Sequence, residues 1–459
     1  MKICRPAGGI LVVFLLMVVA VTASAKTPES TGPGKTLAQA NARMAWWRAA
    51  KFGIFIHWGI YSVAAGLWEG KPVAHSSGEW IMTKGHIPRE AYAKLAKQFD
   101  PVDFDADRWA SLFKEAGASY VVFTTMHHDG FCMFKTSATR YNVVDDTPWH
   151  KDPTALLAQA CRAQGLRFGT YYSVQNWYNP DQMPDAPDNG HPTYFPTHFA
   201  PDGAARYLRY MKTQLSELIA QYHPSVLWFD NSIIKPWKTP DGQEIAGWDA
   251  TDAHAIFDYV RALDPNVIIN NRLGHGTGDY LTPEQRIPAH GFTRPWETCM
   301  TINWTWGYKQ DDKHWKSTET LLRDLVDIVS KGGNFLLNVG PDGKGVIPQP
   351  EVDRLREMGK WLKVNGDSIY GTTRSPLDNV PAWGRVTAKP GRLFLHVFAW
   401  PANGKLILTG WKGPIKRAYL LGDAKRAALD VTQSNDGNIV RVPKTTPDAI
   451  DTVVVLDTR

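Results

Sequence analysis

The chain has 459 residues, which is too long for one ordinary hydrophobic core and predicts one large and one small domain. Charged residues make up 21% and apolar residues 43% of it, a composition typical of folded proteins that excludes a disordered chain. The net charge of +6 is dispersed, without the long basic run that binds nucleic acid, so no nucleic-acid partner is expected.

The first 25 residues predict a secretory signal peptide. Lys2 and Arg5 precede an apolar run over residues 10–21, and small residues follow at Ala23 and Ala25. Cleavage is expected after Ala25, and no later segment approaches the roughly 18 apolar residues of a membrane helix. The mature protein is therefore expected to be exported, periplasmic or secreted, with no membrane partner.

Three cysteines remain after removal of this segment, namely Cys132, Cys161 and Cys299. Their odd number and scattered spacing argue against a disulfide framework and match no metal-ligand pattern.

Strand-like and helix-like segments alternate over most of the chain. Strands are predicted at residues 52–59, 120–126, 167–173, 225–230, 267–272 and 334–340, and helices at 104–117, from 153, at 208–222, 252–263, 321–329 and 352–364. Such repeated units predict an α/β fold with a parallel sheet, most simply a (β/α)8-like barrel. A doubly wound open sheet is the alternative, but no Gly-rich phosphate loop follows the first strand.

The character of the sequence changes after residue 370. Short strands separated by Gly, Pro, Asn and Asp are predicted at residues 392–398, 405–408, 417–421, 439–442 and 452–456. Without helices between them, they predict a small antiparallel β-sandwich with a packing or accessory role. The expected organisation is a signal peptide over residues 1–25, a catalytic (β/α) barrel over 26–370 and a C-terminal β-sandwich over 371–459.

Polar side chains collect where the predicted barrel strands end. These are His57, His127, His128, Asp129, Tyr172, Asp230 and Arg272. The carboxyl ends of barrel strands carry active sites, and an ionised Asp230 at the end of an apolar strand is costly unless it is paired or used. Its alternative role is a cap on the next helix or turn. With 19 Trp and 16 Tyr in the chain, the set suits a sugar-like ligand, although a Trp-rich core is the alternative explanation of these counts.

A metal site is the competing interpretation for His57, His127 and His128. Adjacent histidines point to opposite sides of a strand, and no HExxH-like helix accompanies them. We therefore expect neither a metal nor another cofactor at this site.

Eight motifs resemble the α-L-fucosidases of glycoside hydrolase family 29. They are KFGIFIHWG at 51–59, GEW at 78–80, HHDGF at 127–131, LWFD at 227–230, WETCM at 296–300, WGY at 306–308, GGNFLLNVGP at 332–341 and MGKWLKVNG at 358–366. The resemblance covers about residues 45–372. It implies a retaining hydrolase that acts on terminal α-L-fucosyl residues of oligosaccharides or glycoconjugates.

The resemblance makes Asp230 the expected nucleophile of a double displacement. Retention also requires a second carboxyl group about 5–5.5 Å away, which acts first as acid and then as base. Asp279, Glu284 and Glu297 are the candidates. The pattern Thr282-x-Glu284 matches the family's acid/base position and favours Glu284, while Glu297 is the alternative acid/base unless it is a buried structural carboxylate.

The resemblance also implies a set of fucose-contacting residues. They are His57, Glu79, Trp80, His127, His128, Tyr172, Arg272 and Trp306, with Trp306, aided by Phe55, against the C5 methyl group. Trp177, Tyr178 and residues 179–201 have no counterpart in the resemblance and are expected to border the leaving-group side. A transfucosylase with the same site and a catalytically silent fucose-binding protein are the alternative functions.

Overall fold

The structure is a computed structural model that describes residues 37–182, 198–434 and 437–458. The predicted signal peptide and most of residues 179–201 lie outside the described residues. Within these ranges, no helix is both long and apolar enough to cross a membrane.

Seven parallel strands form the wall of a barrel in the described residues. They are β1 (Phe52–Ile56), β2 (Tyr120–Met126), β3 (Arg167–Ser173), β4 (Val226–Asp230), β5 (Ile268–Ile269), β6 (Glu297–Thr301) and β7 (Asn334–Val339). Their order is β6-β7-β1-β2-β3-β4-β5, so β5 and β6 are the two edges of the curved sheet. The predicted parallel barrel is confirmed.

Residues 279–285 lie between these two edge strands. A parallel bridge joins Asn270 to Tyr280 on the β5 side, and another joins Glu284 to Cys299 on the β6 side. The segment therefore occupies the eighth position of the wall without regular strand geometry. Glu284, which the sequence places on a loop, is fixed by this segment beside β6.

Seven helices of ten or more residues are present in the part of the chain that the structure describes. They are α1 (Leu37–Ala50), α2 (Ala106–Glu115), α3 (Pro153–Ala163), α4 (Gly203–Tyr222), α5 (Ala250–Leu263), α6 (Thr318–Ser330) and α7 (Gln349–Asn365). Asp105 and Asp152 begin α2 and α3 by accepting hydrogen bonds from backbone N–H groups of the first turn, as N-cap residues do. Helix α1 was not predicted from the sequence.

Short elements lie in the connections. They are the helices Tyr61–Ala64, Ile81–Lys84, Arg89–Ala93 and Val143–Asp146, the 3₁₀ turns Gly78–Trp80, Lys94–Gln98, Asn271–Leu273 and Gly366–Ser368, and the hairpins of Leu67–Trp68 with Lys71–Pro72 and of Trp237–Lys238 with Glu244–Ile245.

The barrel strands separate two apolar layers. Phe55, Tyr171 and Trp228 belong to the cluster inside the barrel, whereas Tyr172 and Phe229 belong to the cluster between strands and helices. Successive residues of a strand point to opposite faces, so each strand contributes to both layers. This alternation decides which side chains reach the site.

The C-terminal region is a β-sandwich of two antiparallel sheets. Its strands are β8 (Gly384–Lys389), β9 (Arg392–Val397), β10 (Lys405–Leu408), β11 (Arg417–Leu420), β12 (Val431–Ser434), β13 (Gly437–Arg441) and β14 (Thr452–Asp457), ordered β8-β9-β14-β11 and β10-β13-β12. The sandwich prediction is confirmed, and β8 and β12 are additional strands. The boundary at residue 371 stays a prediction.

The sandwich packs against α6 and α7 of the barrel. The Arg385 guanidinium pairs with Asp327 on α6, and Trp361 Nε1 on α7 donates a 3.0 Å hydrogen bond to the Asp451 carbonyl. These contacts hold the two regions together.

Candidate active site

A cavity of about 380 Å³ opens at the carboxyl ends of the barrel strands. It is lined by Phe55, His57, Trp80, His127, His128, Tyr171, Trp228, Asp230, Asn231, Ser232, Ile233, Asn271, Arg272, Gly274, Glu284, Cys299 and Trp306. Of the predicted catalytic and binding residues, all line it except Glu79 and Tyr172. Eight of the ten predicted catalytic and binding residues therefore lie together in one cavity.

Asp230 ends β4 and faces the cavity with both carboxylate oxygens bonded. Arg272 Nη1 lies 2.7 Å from Oδ1, and the Tyr171 hydroxyl donates to Oδ2 at 2.9 Å. Burial raises the pKa of Asp230, but the Arg272 charge and these hydrogen bonds outweigh it and hold the pKa below its usual value. Asp230 therefore carries a negative charge at neutral pH.

Arg272 holds a second carboxylate, that of Glu284. Its Nη2 lies 2.8 Å from Glu284 Oε2, and its Nε donates to Thr282 Oγ1 at 2.9 Å. The guanidinium lies over the Trp228 ring, 4.6 Å from the centroid, which fixes its plane further. The Glu284 side chain is 41% exposed and that of Asp230 16%, so Glu284 is the carboxylate nearer to solvent.

Glu297, the alternative acid/base, lies in the barrel interior and not in the cavity wall. The Tyr120 hydroxyl and Trp228 Nε1 donate to its two oxygens, the latter at 3.1 Å. Burial raises the pKa of Glu297 to about 7, against the effect of these donors. This environment is that of a structural carboxylate.

Asp279, the third candidate, is also outside the cavity. It forms ion pairs with Arg43 at 2.6 Å and Arg261 at 2.7 Å, and it accepts the Ile269 backbone N–H at 2.8 Å. Its carboxylate fixes α1 and α5 to the end of β5, so Glu284 is the remaining candidate within the cavity.

Burial keeps the site histidines neutral. His57 Nδ1 contacts Asn338 Oδ1 at 2.7 Å, and His128 Nδ1 contacts Ser173 Oγ at 2.8 Å. Burial lowers the pKa of His57 to about 3 and that of His128 to about 4. The 3.5 Å contact between His128 Nε2 and Asp230 Oδ2 is thus one of a neutral imidazole with a carboxylate, not an ion pair.

His127 lines the cavity and keeps one ring nitrogen buried. Its ring stacks on Tyr171 with an interplanar angle of 11°, and its Nδ1 has no hydrogen-bond partner among the residues that the structure describes. Burial lowers its pKa well below the usual value. A neutral imidazole offers one donor and one acceptor, so the three histidines together suit the hydroxyl groups of a sugar.

Aromatic rings form the remaining wall. Trp306 lies against His57 with centroids 5.0 Å apart and against Phe55 at 5.9 Å, as an apolar wall requires. Trp177, predicted on the leaving-group side, is buried behind Trp80 with centroids 4.9 Å apart. Trp177 does not line the cavity, and neither does Tyr178, which stacks on Tyr141.

Tyr172, which was predicted to contact the substrate, lies outside the cavity. Its side chain points away from the barrel interior, and its hydroxyl donates to Gln214 Oε1 on α4 at 2.7 Å. Tyr171 reaches the cavity instead, because adjacent strand residues face opposite ways. The strand periodicity in the sequence already separates the two tyrosines: Tyr171 shares a face with Ser173, two residues on, whereas Tyr172 is on the other face.

Glu79 is also placed differently from the prediction. It is fully buried, does not line the cavity, and accepts the Gly307 backbone N–H at 2.7 Å and the Ser77 hydroxyl at 2.5 Å. Burial raises its pKa above the usual value. Glu79 therefore positions the loop that carries Trp306.

The described residues contain no group of three or more His, Cys, Asp and Glu side chains arranged to hold a metal ion. Nδ1 of His57 contacts the Asn338 side chain, and Nδ1 of His128 contacts the Ser173 side chain. The three cysteines are free and buried.

A barrel with paired carboxylates, neutral imidazoles and aromatic walls at its carboxyl edge defines a carbohydrate-active hydrolase. The family profile described as Alpha-L-fucosidase matches residues 18–367. Plasma α-L-fucosidase of Rattus norvegicus is 34% identical over 419 residues, covering 87% of each chain, and tissue α-L-fucosidase of Homo sapiens is 30% identical over 470 residues, covering 97% of this chain and 95% of that protein.

Solved structures agree with these matches. α-L-Fucosidase isoenzyme 1 from Paenibacillus thiaminolyticus superimposes with a TM-score of 0.79 at 37% identity, covering 92% of this chain and 100% of that chain. A family 29 α-L-fucosidase from Bacteroides thetaiotaomicron, a trapped covalent intermediate in complex with 2-fluoro-fucosyl fluoride, gives 0.80 at 28% identity, covering 94% and 98%. The chain belongs to the α-L-fucosidase family, glycoside hydrolase family 29, whose members are retaining glycosidases.

Proposed function

We propose that this chain hydrolyses terminal α-L-fucosyl residues of oligosaccharides or glycoconjugates, with Asp230 as nucleophile and Glu284 as general acid/base. The observation that carries the assignment is the single Arg272 guanidinium bonded to both carboxylates, at 2.7 and 2.8 Å. One planar group that binds both holds them close, as a retaining pair requires.

The first step forms a bond between an Asp230 oxygen and the anomeric carbon. The glycosidic bond breaks, its electron pair stays with the leaving oxygen, and the Glu284 proton moves to that oxygen. In the second step Glu284 takes a proton from water, the water oxygen adds to the anomeric carbon, and Asp230 leaves as a carboxylate. Two inversions give net retention.

Arg272 contacts the groups that act in both steps. Its guanidinium bonds the carboxylates of Asp230 and Glu284 at 2.7 and 2.8 Å. Esterification removes the charge of Asp230 in the first step, so that the guanidinium then pairs with Glu284 alone.

The rest of the wall supports fucose as the bound sugar. The neutral imidazoles of His57, His127 and His128 supply donors and acceptors for ring hydroxyls, and Trp306 with Phe55 supplies an apolar surface for the C5 methyl group. A fucosylated glycan is therefore the proposed partner of the site.

Retention and substrate are tested together by following hydrolysis of an aryl α-L-fucoside by NMR. The first fucose released should be the α-anomer, with the β-anomer appearing later by mutarotation. A β-anomer formed first, or binding without turnover, would contradict the proposal. Added acceptor sugar separates a transfucosylase, which would give fucosylated acceptor as the main product.

Export is proposed on the order of charged, apolar and small residues before Lys26. Expression of the full chain in a bacterial host should place the mature protein outside the cytoplasm, with Lys26 as its first residue by N-terminal sequencing. Recovery of a full-length chain in the cytoplasm alone would contradict export.

A further inference from the structure

We infer that Trp304 is a sugar-binding platform at the rim of the active site. It would receive the pyranose unit to which the cleaved fucosyl residue is attached. The inference rests on the function proposed above and specifies the substrate class, which is fucosylated oligosaccharides rather than fucosides with a small leaving group.

Trp304 differs in exposure from every other tryptophan in the described residues. The residue is 72% exposed, while the others are buried or half-buried. Single exposed apolar residues are ordinary on protein surfaces, so exposure alone does not mark a site. The surroundings of the ring provide the second observation.

The indole of Trp304 is held in place by the His314 side chain. It stacks on the His314 imidazole with ring centroids 3.4 Å apart and an interplanar angle of 5°. Asp312, only 5% exposed, accepts the Trp304 backbone N–H with Oδ2 at 2.9 Å and the His314 backbone N–H with Oδ1 at 3.0 Å. Its Oδ1 also lies 3.1 Å from His314 Nδ1. The buried carboxylate therefore fixes the Trp304 backbone and the His314 ring, and the imidazole covers one face of the indole.

Trp304 lies in a segment that borders the cavity, although it is not itself part of the cavity lining. Trp306, two residues further on, lines the cavity, so the two Cα atoms are at most about 7 Å apart. On the other side, Thr301 Oγ1 donates to the Asn303 carbonyl and accepts a 3.0 Å hydrogen bond from Nε2 of Gln285, the neighbour of the lining residue Glu284. The segment between the two tryptophans is tied down, since Thr305 Oγ1 donates to the Gly307 carbonyl at 2.7 Å and accepts the Gly78 backbone N–H at 2.9 Å. Lys316 Nζ contacts the Asn303 carbonyl at 3.3 Å.

The chemistry of a fixed indole at this position points to a pyranose. One face of a pyranose ring carries C–H groups, which pack on an aromatic face, while its hydroxyls remain in water. A ring that is already ordered loses little side-chain entropy on binding. The sugar that leaves with the glycosidic oxygen must pass the mouth of the cavity, and the inference places the Trp304 indole on that path.

The test compares two substrates that differ in whether a leaving sugar is present. α-L-Fucosyl fluoride has no aglycone that reaches Trp304, whereas a fucosylated trisaccharide places two sugars beyond the fucosyl residue. In Trp304→Ala, the ratio of kcat/KM for the trisaccharide to kcat/KM for the fluoride should fall about tenfold, which corresponds to ~1.4 kcal/mol. Trp304→Phe keeps an aromatic face and should restore most of the ratio.

Val364→Ala is the matched control, because Val364 is 53% exposed and lies in the last turn of α7, at the opposite end of the barrel. Its ratio should equal that of the wild type. An unchanged ratio in Trp304→Ala, or an equal loss on both substrates together with a lower Tm, would overturn the inference. A wild-type protein that turns over neither substrate would instead contradict the proposed function.

Discussion

The hydroxyl of Tyr171 donates a 2.9 Å hydrogen bond to Oδ2 of Asp230. Arg272 pairs with the other carboxylate oxygen, Oδ1. The two contacts together fix the rotation of the Asp230 carboxylate. The same hydroxyl lies 2.9 Å from Ser173 Oγ, which in turn contacts His128 Nδ1. Tyr171 thereby connects the nucleophile to the sugar-facing imidazoles.

Tyr171→Phe should lower kcat/KM for an aryl fucoside by roughly ten- to a hundredfold, because a hydrogen bond to a charged group contributes about 1.5–3 kcal/mol. Tyr172→Phe is the matched control. It leaves Gln214 Oε1 without its buried donor and should lower the free energy of unfolding by about 1–3 kcal/mol, with normal kinetics of the folded enzyme. A larger loss of kcat/KM in Tyr172→Phe than in Tyr171→Phe would mean that Tyr172, and not Tyr171, faces the site.

Glu284 and Glu297 should differ in leaving-group dependence. Glu284→Ala loses the proton donor, so fucosides with poor leaving groups should lose activity severely and activated aryl fucosides much less, with azide accelerating breakdown of the intermediate. Glu297→Ala should instead destabilise the fold by roughly 3–5 kcal/mol, since it leaves buried donors of Tyr120 and Trp228 unpaired.

Glu297→Gln keeps the shape of the side chain and guards against a Glu297→Ala variant that does not fold. It should affect all fucosides alike and show no azide effect. Steep leaving-group dependence in Glu297→Gln, with none in Glu284→Ala, would move the acid/base to Glu297.

The buried carboxyl group of Glu351 is expected to make the free energy of unfolding depend on pH. It is 1% exposed and accepts the Gly340 backbone N–H at 3.2 Å, and burial raises its pKa to about 8. The folded state keeps a proton that the unfolded chain releases near pH 4.5, so this stabilisation is complete below about pH 4.5 and is lost as the pH rises through about 8.

Glu351→Gln keeps an acceptor for Gly340 and cannot ionise. The Tm of this variant minus that of the wild type should therefore be more positive at pH 8.5 than at pH 5, measured by calorimetry in the same buffer system. An equal difference at both pH values would show that Glu351 does not titrate in this range.

Removal of metal should leave activity intact. His57 and His128 each engage Nδ1 with a protein side chain, and sugar hydroxyls rather than a cation are the proposed partners of their rings. Prolonged treatment with a chelator should leave kcat/KM unchanged. Loss of activity that zinc restores would make His57, His127 and His128 metal ligands.

The barrel was predictable because its signals are local. Asp105 and Asp152 mark helix starts, apolar runs such as residues 225–230 mark buried strands, and a polar residue at the end of each run marks the carboxyl edge. Helix α1 carries too weak an apolar stripe to be recognised from its periodicity.

What the sequence left open depends on register and on non-local contacts. Tyr171 and Tyr172 are neighbours on one strand, and a shift of one residue moves a side chain from one face of the sheet to the other. The position of Glu284 depends on residues 279–285 filling the gap between β5 and β6, a pairing without regular strand pattern. The burial of Glu79 follows from its contact with Gly307, 228 residues away in the chain.

The central claim, that Asp230 is the nucleophile, is tested most directly by trapping the covalent intermediate. The enzyme is incubated with a 2-fluoro-fucosyl fluoride, digested at low pH and analysed by tandem mass spectrometry. The 2-fluoro-fucosyl group should be attached to Asp230, in the peptide that contains residues 226–230. Attachment to another carboxylate, or continued turnover without any labelled peptide, would contradict the account.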